Sequence, residues 1–228
     1  MSFASIKNNN RNRLNENLQF LNYISSLEPS NPRDIIPLEV NIMKGLFYVH
    51  MYSSLERTIN ELIEHTIVLI NTRSISKKHF NHSFNTISLF DKLQSFKSCG
   101  HKNFFSKAYD IFCEINNRDS GHINETMFSN SLQNVWFKTI EETNLCFGVK
   151  GLNISPRIKT TINEIVEKRN AVAHGRESAV NVGIRFRCID IRTKFIDISN
   201  FSYDLIDLYE NYFNSKDYLK PAAKRLYS

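Results

Sequence analysis

Apolar residues along this chain recur mostly at intervals of three and four, the period of a helix with one dry face. Leu14, Leu18, Leu21 and Ile24 predict a first helix through "IKNNNRNRLNENLQFLNYISSL". "EPSNPRDIIP" ends it, because proline lacks the amide that would continue the ladder. Ile42, Leu46, Val49, Ile59, Ile63 and Ile70 then keep a stripe from about Leu38 to Asn71, which predicts a long helix as the spine of a bundle. "HSFNTISLFDKLQSF" and "NFFSKAYDIFCEI" predict shorter helices, with "NNRDSGHIN" as a polar break after them. "FSNSLQNVWFKTIEETNLCF" predicts another helix, with Trp136 in the core, closed by "GVKGLNIS". Pro156 suits the first turn of the helix that follows, which runs into "EIVEKRNAVAHGRESA". "VNVGIRFRCIDIRTKF" is less regular and admits a short strand before a last helix, "NFSYDLIDLYENYF". The fold class expected is all-α, a helical bundle with one irregular segment after the helix that ends at Gly175.

Composition narrows this picture. With 228 residues, 41% hydrophobic and 23% charged, the chain can bury one substantial core. The expected division is an N-terminal helix and linker (1–35) packed on a bundle (36–214), then a basic tail (215–228). A net charge of +6 favours an anionic partner such as RNA. Cys99, Cys113, Cys146 and Cys188 are widely spaced, so neither a disulfide framework nor a cysteine zinc site is expected, and a reducing cytoplasm fits. The N-terminus has no apolar signal core, and the longest apolar run, Ile67 to Ile70, is far too short to span a bilayer. His79, His82, Cys99 and His101 match no common closed zinc spacing, so no metal or other cofactor is expected.

The stretch that carries chemistry is "EKRNAVAHG". Its plain reading is a helix end: basic residues complement the negative end of the dipole, and Gly175 supplies a left-handed cap. A second reading starts from spacing. Asn170 and His174 lie four apart and share a helix face, whereas Arg169 is displaced by ~140° from His174. One copy cannot easily aim both charged groups at one atom; two copies related by a two-fold axis can. The chemistry this would serve is cleavage of RNA by its own 2′-hydroxyl. Histidine exchanges protons near neutral pH, guanidinium offers a permanent fork for phosphate oxygens, and asparagine orients without titrating. No metal is needed for that route.

Arg169-Asn170 followed by His174, R-N-x-x-x-H near the end of an all-helical chain, resembles the catalytic signature of the HEPN superfamily. The wider layout is similar to the MAE-like and RiboL-PSP-like HEPN groups: "YVHMYSSLERTINELI" on a long helix, a variable middle, an F-G-V break, then "RNAVAHG", spanning most of residues 36 to 214. The resemblance implies a bundle of mostly antiparallel helices that forms a homodimer with the motifs apposed. It implies a metal-independent endoribonuclease that serves as a toxin or antiviral defence effector, with an antitoxin or defence-system partner protein. It equally covers non-catalytic modules that bind nucleic acid, nucleotide or a partner protein. By carry-over, Arg169 and His174 are the catalytic pair and Asn170 the polar residue beside the arginine. Arg176 stands where the toxins paired with nucleotidyltransferase antitoxins carry tyrosine, which puts a tyrosine-modifying antitoxin in doubt.

Two further groups are candidates. Glu56 falls on the apolar side of the long helix, where an unpaired carboxylate is costly, so a partner is expected and Arg169 is the obvious one. The alternative keeps Glu56 at the edge of the stripe, in water. Tyr52, one turn earlier, either adds a hydroxyl to the same network or is simply core. Arg176, Arg185, Arg187, Arg192 and Lys194 follow the motif closely, either as a solvated basic face or as ligands for RNA phosphates.

Overall fold

Helix α1 (Phe3–Leu27) buries Phe3, Ile6, Asn10, Leu14, Asn17, Leu21 and Ile24. Two of those seven are asparagines, so its inner seam is partly polar. In this computed structural model, which describes residues 2–31, 33–129, 131–152 and 154–227, both asparagines hydrogen-bond to neighbouring helices, while Asn17 Oδ1 is buried without a partner among the described residues. Asn17 donates to Ser54 Oγ at 2.7 Å, Asn10 donates to Ser202 Oγ at 3.1 Å, and Thr58 donates to Asn10 Oδ1 at 3.0 Å. Pro32, Asn153 and Ser228, which belong to the expected breaks and tail, lie outside the described residues.

Helix α2 (Leu38–Asn71) has the predicted bounds. Its contacts with α1 fall as the α1 number rises, Asn10 to Thr58, Asn17 to Ser54, Phe20 to Phe47 and Glu28 to Lys44, so the two run antiparallel. The buried side of α2 is Phe47, Tyr48, Met51, Tyr52, Leu55 and Ile59. The stripe expected to include Leu46 and Val49 is displaced: Leu46 is exposed and Val49 only half-buried. The larger aromatic side chains of the adjacent face take the core instead.

The middle of the chain carries α3 (Asn85–Ser88), α4 (Phe90–Lys97), α5 (Phe104–Ile115) and α6 (Phe137–Phe147). The helix expected from Phe128 starts only at Phe137; Ser131–Gln133 is a single 3-10 turn and the residues after it are irregular. Then come α7 (Pro156–Ala173), α8 (Ala179–Gly183) and α9 (Cys188–Asn214). No strand is formed among the described residues, only isolated bridges at Ser76–Ser120 and Phe80–Leu219. The short strand admitted after the motif is helix α8. Ser178 caps it by accepting from Asn181 N at 3.2 Å, and its Val182 and Gly183 are buried.

The chain condenses into two compact units. The first holds residues 1–61, 131–137 and 153–206. There α8 crosses α2 backbone to backbone: a Cβ on Gly45 would collide with the Ala179 carbonyl, and one on Gly183 with the Asn41 carbonyl. Beside this crossing Lys44 is fully buried. It donates to Glu28 at 3.2 Å and to the Phe186 carbonyl at 2.8 Å, while Glu28 also accepts from Cys188 N at 3.0 Å. Burial acts to raise the Glu28 carboxyl, but the Cys188 amide, Lys44 and Arg187 outweigh it and hold the group below its ordinary range.

The second unit holds residues 62–130, 138–152 and 207–228. Its centre is Phe147, ringed by Phe84, Phe128, Tyr209 and Tyr212 at 5.3–6.1 Å between centroids. The residues expected as a basic tail are packed here. Tyr218, Leu219 and Ala223 are buried, and Tyr227 Oη accepts from Ser76 N at 3.1 Å. Their apolar side chains outweigh the lysines between them. Among the described residues no helix is long and apolar enough to cross a membrane.

The α2–α8 crossing yields a stability prediction. Gly45→Ala should cost about 1–3 kcal/mol, since backbone rather than a flexible side chain must move, and should lower the melting temperature by roughly 3–10 °C. Gly100→Ala, with nothing near its Cβ, is the control expected to melt like wild type by circular dichroism. Equal melting of the two variants would contradict the close crossing.

Candidate active site

Helix α7 begins as its sequence dictates. Ser155 caps it by accepting from Ile158 N at 3.4 Å, and Pro156 fills the first turn, where no amide is needed. Ile162, Ile165 and Val166 are fully buried, and the same face continues into Asn170 and Ala171. Arg169 thereby sits at the edge of the dry face. The helix ends at Ala173, with His174 as the capping residue and Gly175 in the left-handed region at φ +66°. Arg176 and Glu177 turn their amides back to the Ala171 carbonyl at 2.9 and 3.1 Å. The helix-stop reading of "AHG" is therefore correct, and it sets where the histidine goes.

Arg169 is held by three segments at once. Its Nη1 donates to Asn170 Oδ1 at 2.7 Å on its own helix and to Asn134 Oδ1 at 3.3 Å on the irregular segment before α6. Its guanidinium carbon lies 4.5 Å from the centroid of the Tyr52 ring, and its Nη2 lies 4.0 Å from Glu56, both on α2. A cation over an aromatic face gains from the ring quadrupole, more so when partly dried. The expected pairing of Glu56 with Arg169 is present, but as a separated ion pair rather than a hydrogen bond. The alternative for Glu56 is half right as well, since its side chain keeps 24% of its exposure.

Electrostatics follow from this packing. Burial pushes the Glu56 carboxyl above its ordinary range, and the opposing pull of Arg169 and of the Tyr52 hydroxyl does not cancel it. Burial likewise raises the Tyr52 hydroxyl, to about 12, against the Val135 amide and Arg169. Tyr52 is both core and network: its ring is buried, while its hydroxyl accepts from Val135 N at 2.9 Å and donates to the Gln133 carbonyl at 3.3 Å.

Those two bonds explain why residues 131–136 do not extend α6. Asn60 donates to the Leu132 carbonyl at 3.4 Å, and Asn163 Oδ1 accepts from Phe137 N at 3.1 Å. Side chains of α2 and α7 thus take the backbone groups that a helical ladder would use, and the segment becomes a strap. Asn134, which sequence reasoning missed, is its contribution to the site. Trp136, expected in the core, is 39% exposed on the same strap. Neither residue carries a periodic signal of its own.

His174 is exposed, and among the described residues its ring makes no hydrogen bond. The motif is therefore asymmetric: a guanidinium anchored and partly dry, and an imidazole one turn on and free to meet a ligand. Of the five basic residues considered as phosphate ligands, four have partners. Arg185 pairs with Glu177 at 2.7 Å, Arg187 donates to the Pro29 carbonyl at 2.7 Å, and Arg192 donates to Asn22 at 2.7 Å. Lys194 pairs with Glu164 and lies over the Phe186 ring. Arg176 is exposed and uncommitted among the described residues. No group of three or more His, Cys, Asp or Glu among the described residues could hold a metal; His79 lies instead 2.7 Å from the Tyr227 hydroxyl.

The raised Glu56 carboxyl makes a prediction with a definite sign. The folded protein holds this proton more tightly than the unfolded chain, so stability is full below the ordinary carboxylate range and declines as pH rises through the folded value. Glu56→Gln removes that decline. Its melting temperature at pH 7 should equal or exceed that of wild type, and the two should converge or reverse near pH 4. A loss above about 1 kcal/mol at pH 7 would mean that the ion pair with Arg169 is net stabilising.

The RiboL-PSP-HEPN family model matches residues 8–216 of the chain. No curated protein and no solved structure matches it significantly.

Proposed function

The chain belongs to the RiboL-PSP-HEPN family, and from that premise we propose that it is a metal-independent endoribonuclease acting as a homodimer. The observation that carries this reading is the anchored Arg169 beside an exposed His174. A purely structural arginine would not need a histidine one turn away left without a partner. In the proposed reaction His174 accepts the proton of a ribose 2′-hydroxyl, and the 2′-oxygen attacks the adjacent phosphorus. The bond from phosphorus to the 5′-oxygen breaks, the leaving oxygen takes up a proton, and a 2′,3′-cyclic phosphate remains. Arg169 offsets the added negative charge of the phosphorane, while Asn134, Asn170 and Tyr52 fix its fork, as electrostatic catalysis requires. Glu56 is a positioning residue for Arg169. Arg176 is the basic residue best free to meet a neighbouring phosphate.

A toxin or antiviral defence role, with a controlling partner protein in the cytoplasm, fits this activity. A second reading, a non-catalytic module binding nucleic acid, nucleotide or protein, is favoured by one observation: Arg169 already has partners on three segments of its own chain, as a structural arginine would.

One experiment separates the two. Wild type and His174→Ala are expressed side by side, then purified and given RNA and DNA in EDTA. Under the proposal, wild type arrests growth and cuts RNA in EDTA, leaves cyclic phosphate ends and spares DNA. His174→Ala should lose about 10²–10⁴-fold of the cleavage, the usual worth of a general acid or base. Strict magnesium dependence, or equal cleavage by the two proteins, would sink the proposal.

A further inference from the structure

We propose that Trp136 is a stacking platform for a nucleobase of the RNA strand whose phosphate Arg169 holds. This rests on the reading of Arg169 as a phosphate ligand and adds to it a site for the base. A singly exposed aromatic is ordinary on a protein surface and by itself says nothing. What sets Trp136 apart is its mounting. The residues around it are tied down: Leu132 by Asn60, Gln133 and Val135 by the Tyr52 hydroxyl, and Phe137 by Asn163. The indole itself makes no hydrogen bond or ring contact among the described residues. An anchored backbone thus carries a tryptophan that keeps 39% of its exposure, so little conformational entropy is lost when a flat ligand stacks on it.

Its position supplies the second argument. Trp136 N donates to the Asn134 carbonyl at 2.9 Å, closing a tight turn, and the Asn134 side chain accepts from Arg169 at 3.3 Å. The backbone that carries the indole is therefore one short turn from the residue that holds the guanidinium, and residues two apart span at most ~7 Å. A cation for the backbone beside an aromatic for the base is the pairing by which proteins hold single strands without reading sequence. The indole N–H is also an unused donor that a base edge or ribose can accept. A strand so held would lie with one base on Trp136 and its phosphate at Arg169, and His174 would be offered an unstacked ribose.

Trp136 is the single tryptophan, so intrinsic fluorescence reports on this site alone. The test uses full-length His174→Ala, in which any bound strand stays intact. It is titrated with a ten-nucleotide A/U RNA, with a ribose-phosphate strand of the same length lacking bases, and with AMP. Emission should be quenched in a saturating manner by the RNA but not by the baseless strand. Adding Trp136→Ala should weaken RNA binding about tenfold, read by anisotropy of labelled RNA, and leave the baseless strand unaffected. Trp136→Phe should lose less, and it guards against a folding defect in the alanine variant. RNA binding without quenching, equal RNA affinity in Trp136→Ala, or no RNA binding at all overturns the proposal. So does quenching by AMP that a strand does not reproduce, which would make this a free-nucleotide site. Wild type that binds RNA with quenching yet never cuts it would refute the ribonuclease reading alone and leave the stacking site standing.

Discussion

A guanidinium cannot give up its proton to ease its own burial, so drawing Arg169 out of water obliges the protein to surround it. Much of the local architecture follows from that constraint. Helix α2 must present Tyr52 and Glu56 at one level, α7 must bring Asn170 alongside, and the segment before α6 must abandon helical pairing so that Asn134 can reach in. Each of these elements is anchored elsewhere. The Asn10, Asn17, Ser54 and Thr58 seam fixes α1 on α2, and the Gly45 and Gly183 crossing fixes α8, which follows the motif. Rigidity is what electrostatic catalysis demands, since a donor that must reorganise during the reaction stabilises less.

The same constraint separates the two halves of the motif. Arg169 lies where the dry face of α7 still holds, whereas His174 lies past the last helical residue, on a turn that Gly175 makes possible at φ +66°. The sequence "RNAVAHG" is thus a helix end and a candidate site together. Glu56 shows the cost: its carboxyl is pushed above its ordinary range because burial outweighs a cation that comes no closer than 4.0 Å. An ion pair built for stability would be tighter.

Periodicity made the long elements legible. The bounds of α2, the start of α7 at Pro156 and the stop at Gly175 follow from stripe, proline and glycine alone. It failed where tertiary partners take backbone groups out of the local ladder. Residues 131–136 have a helix-like pattern but are unwound by Tyr52 and Asn60, so Asn134 and exposed Trp136 could not be foreseen. The segment after the motif looked irregular because its helix, α8, is short and buries only Val182 and Gly183, a signal too brief for a period. The face of α2 was misjudged because Leu46 and Val49 are as apolar as the residues that won, and only the bulk of Phe47, Tyr48, Met51 and Tyr52 decides between them. Charge alone does not reveal which basic residues hold their own chain, as Arg187, Arg192 and Lys194 do.

On the proposed reading, one reaction centre combines an anchored Arg169 from one copy of the chain with a free His174 from another. Complementation between inactive variants tests it most directly. Arg169→Ala and His174→Ala are each purified, shown to be inactive, then mixed, allowed to exchange subunits and assayed on RNA in EDTA, with heterodimer formation followed by mass spectrometry. Cleavage is expected to return in the mixture in step with the heterodimer. Heterodimers that form and stay inactive, or a monomer that cuts at the wild-type rate, would contradict it.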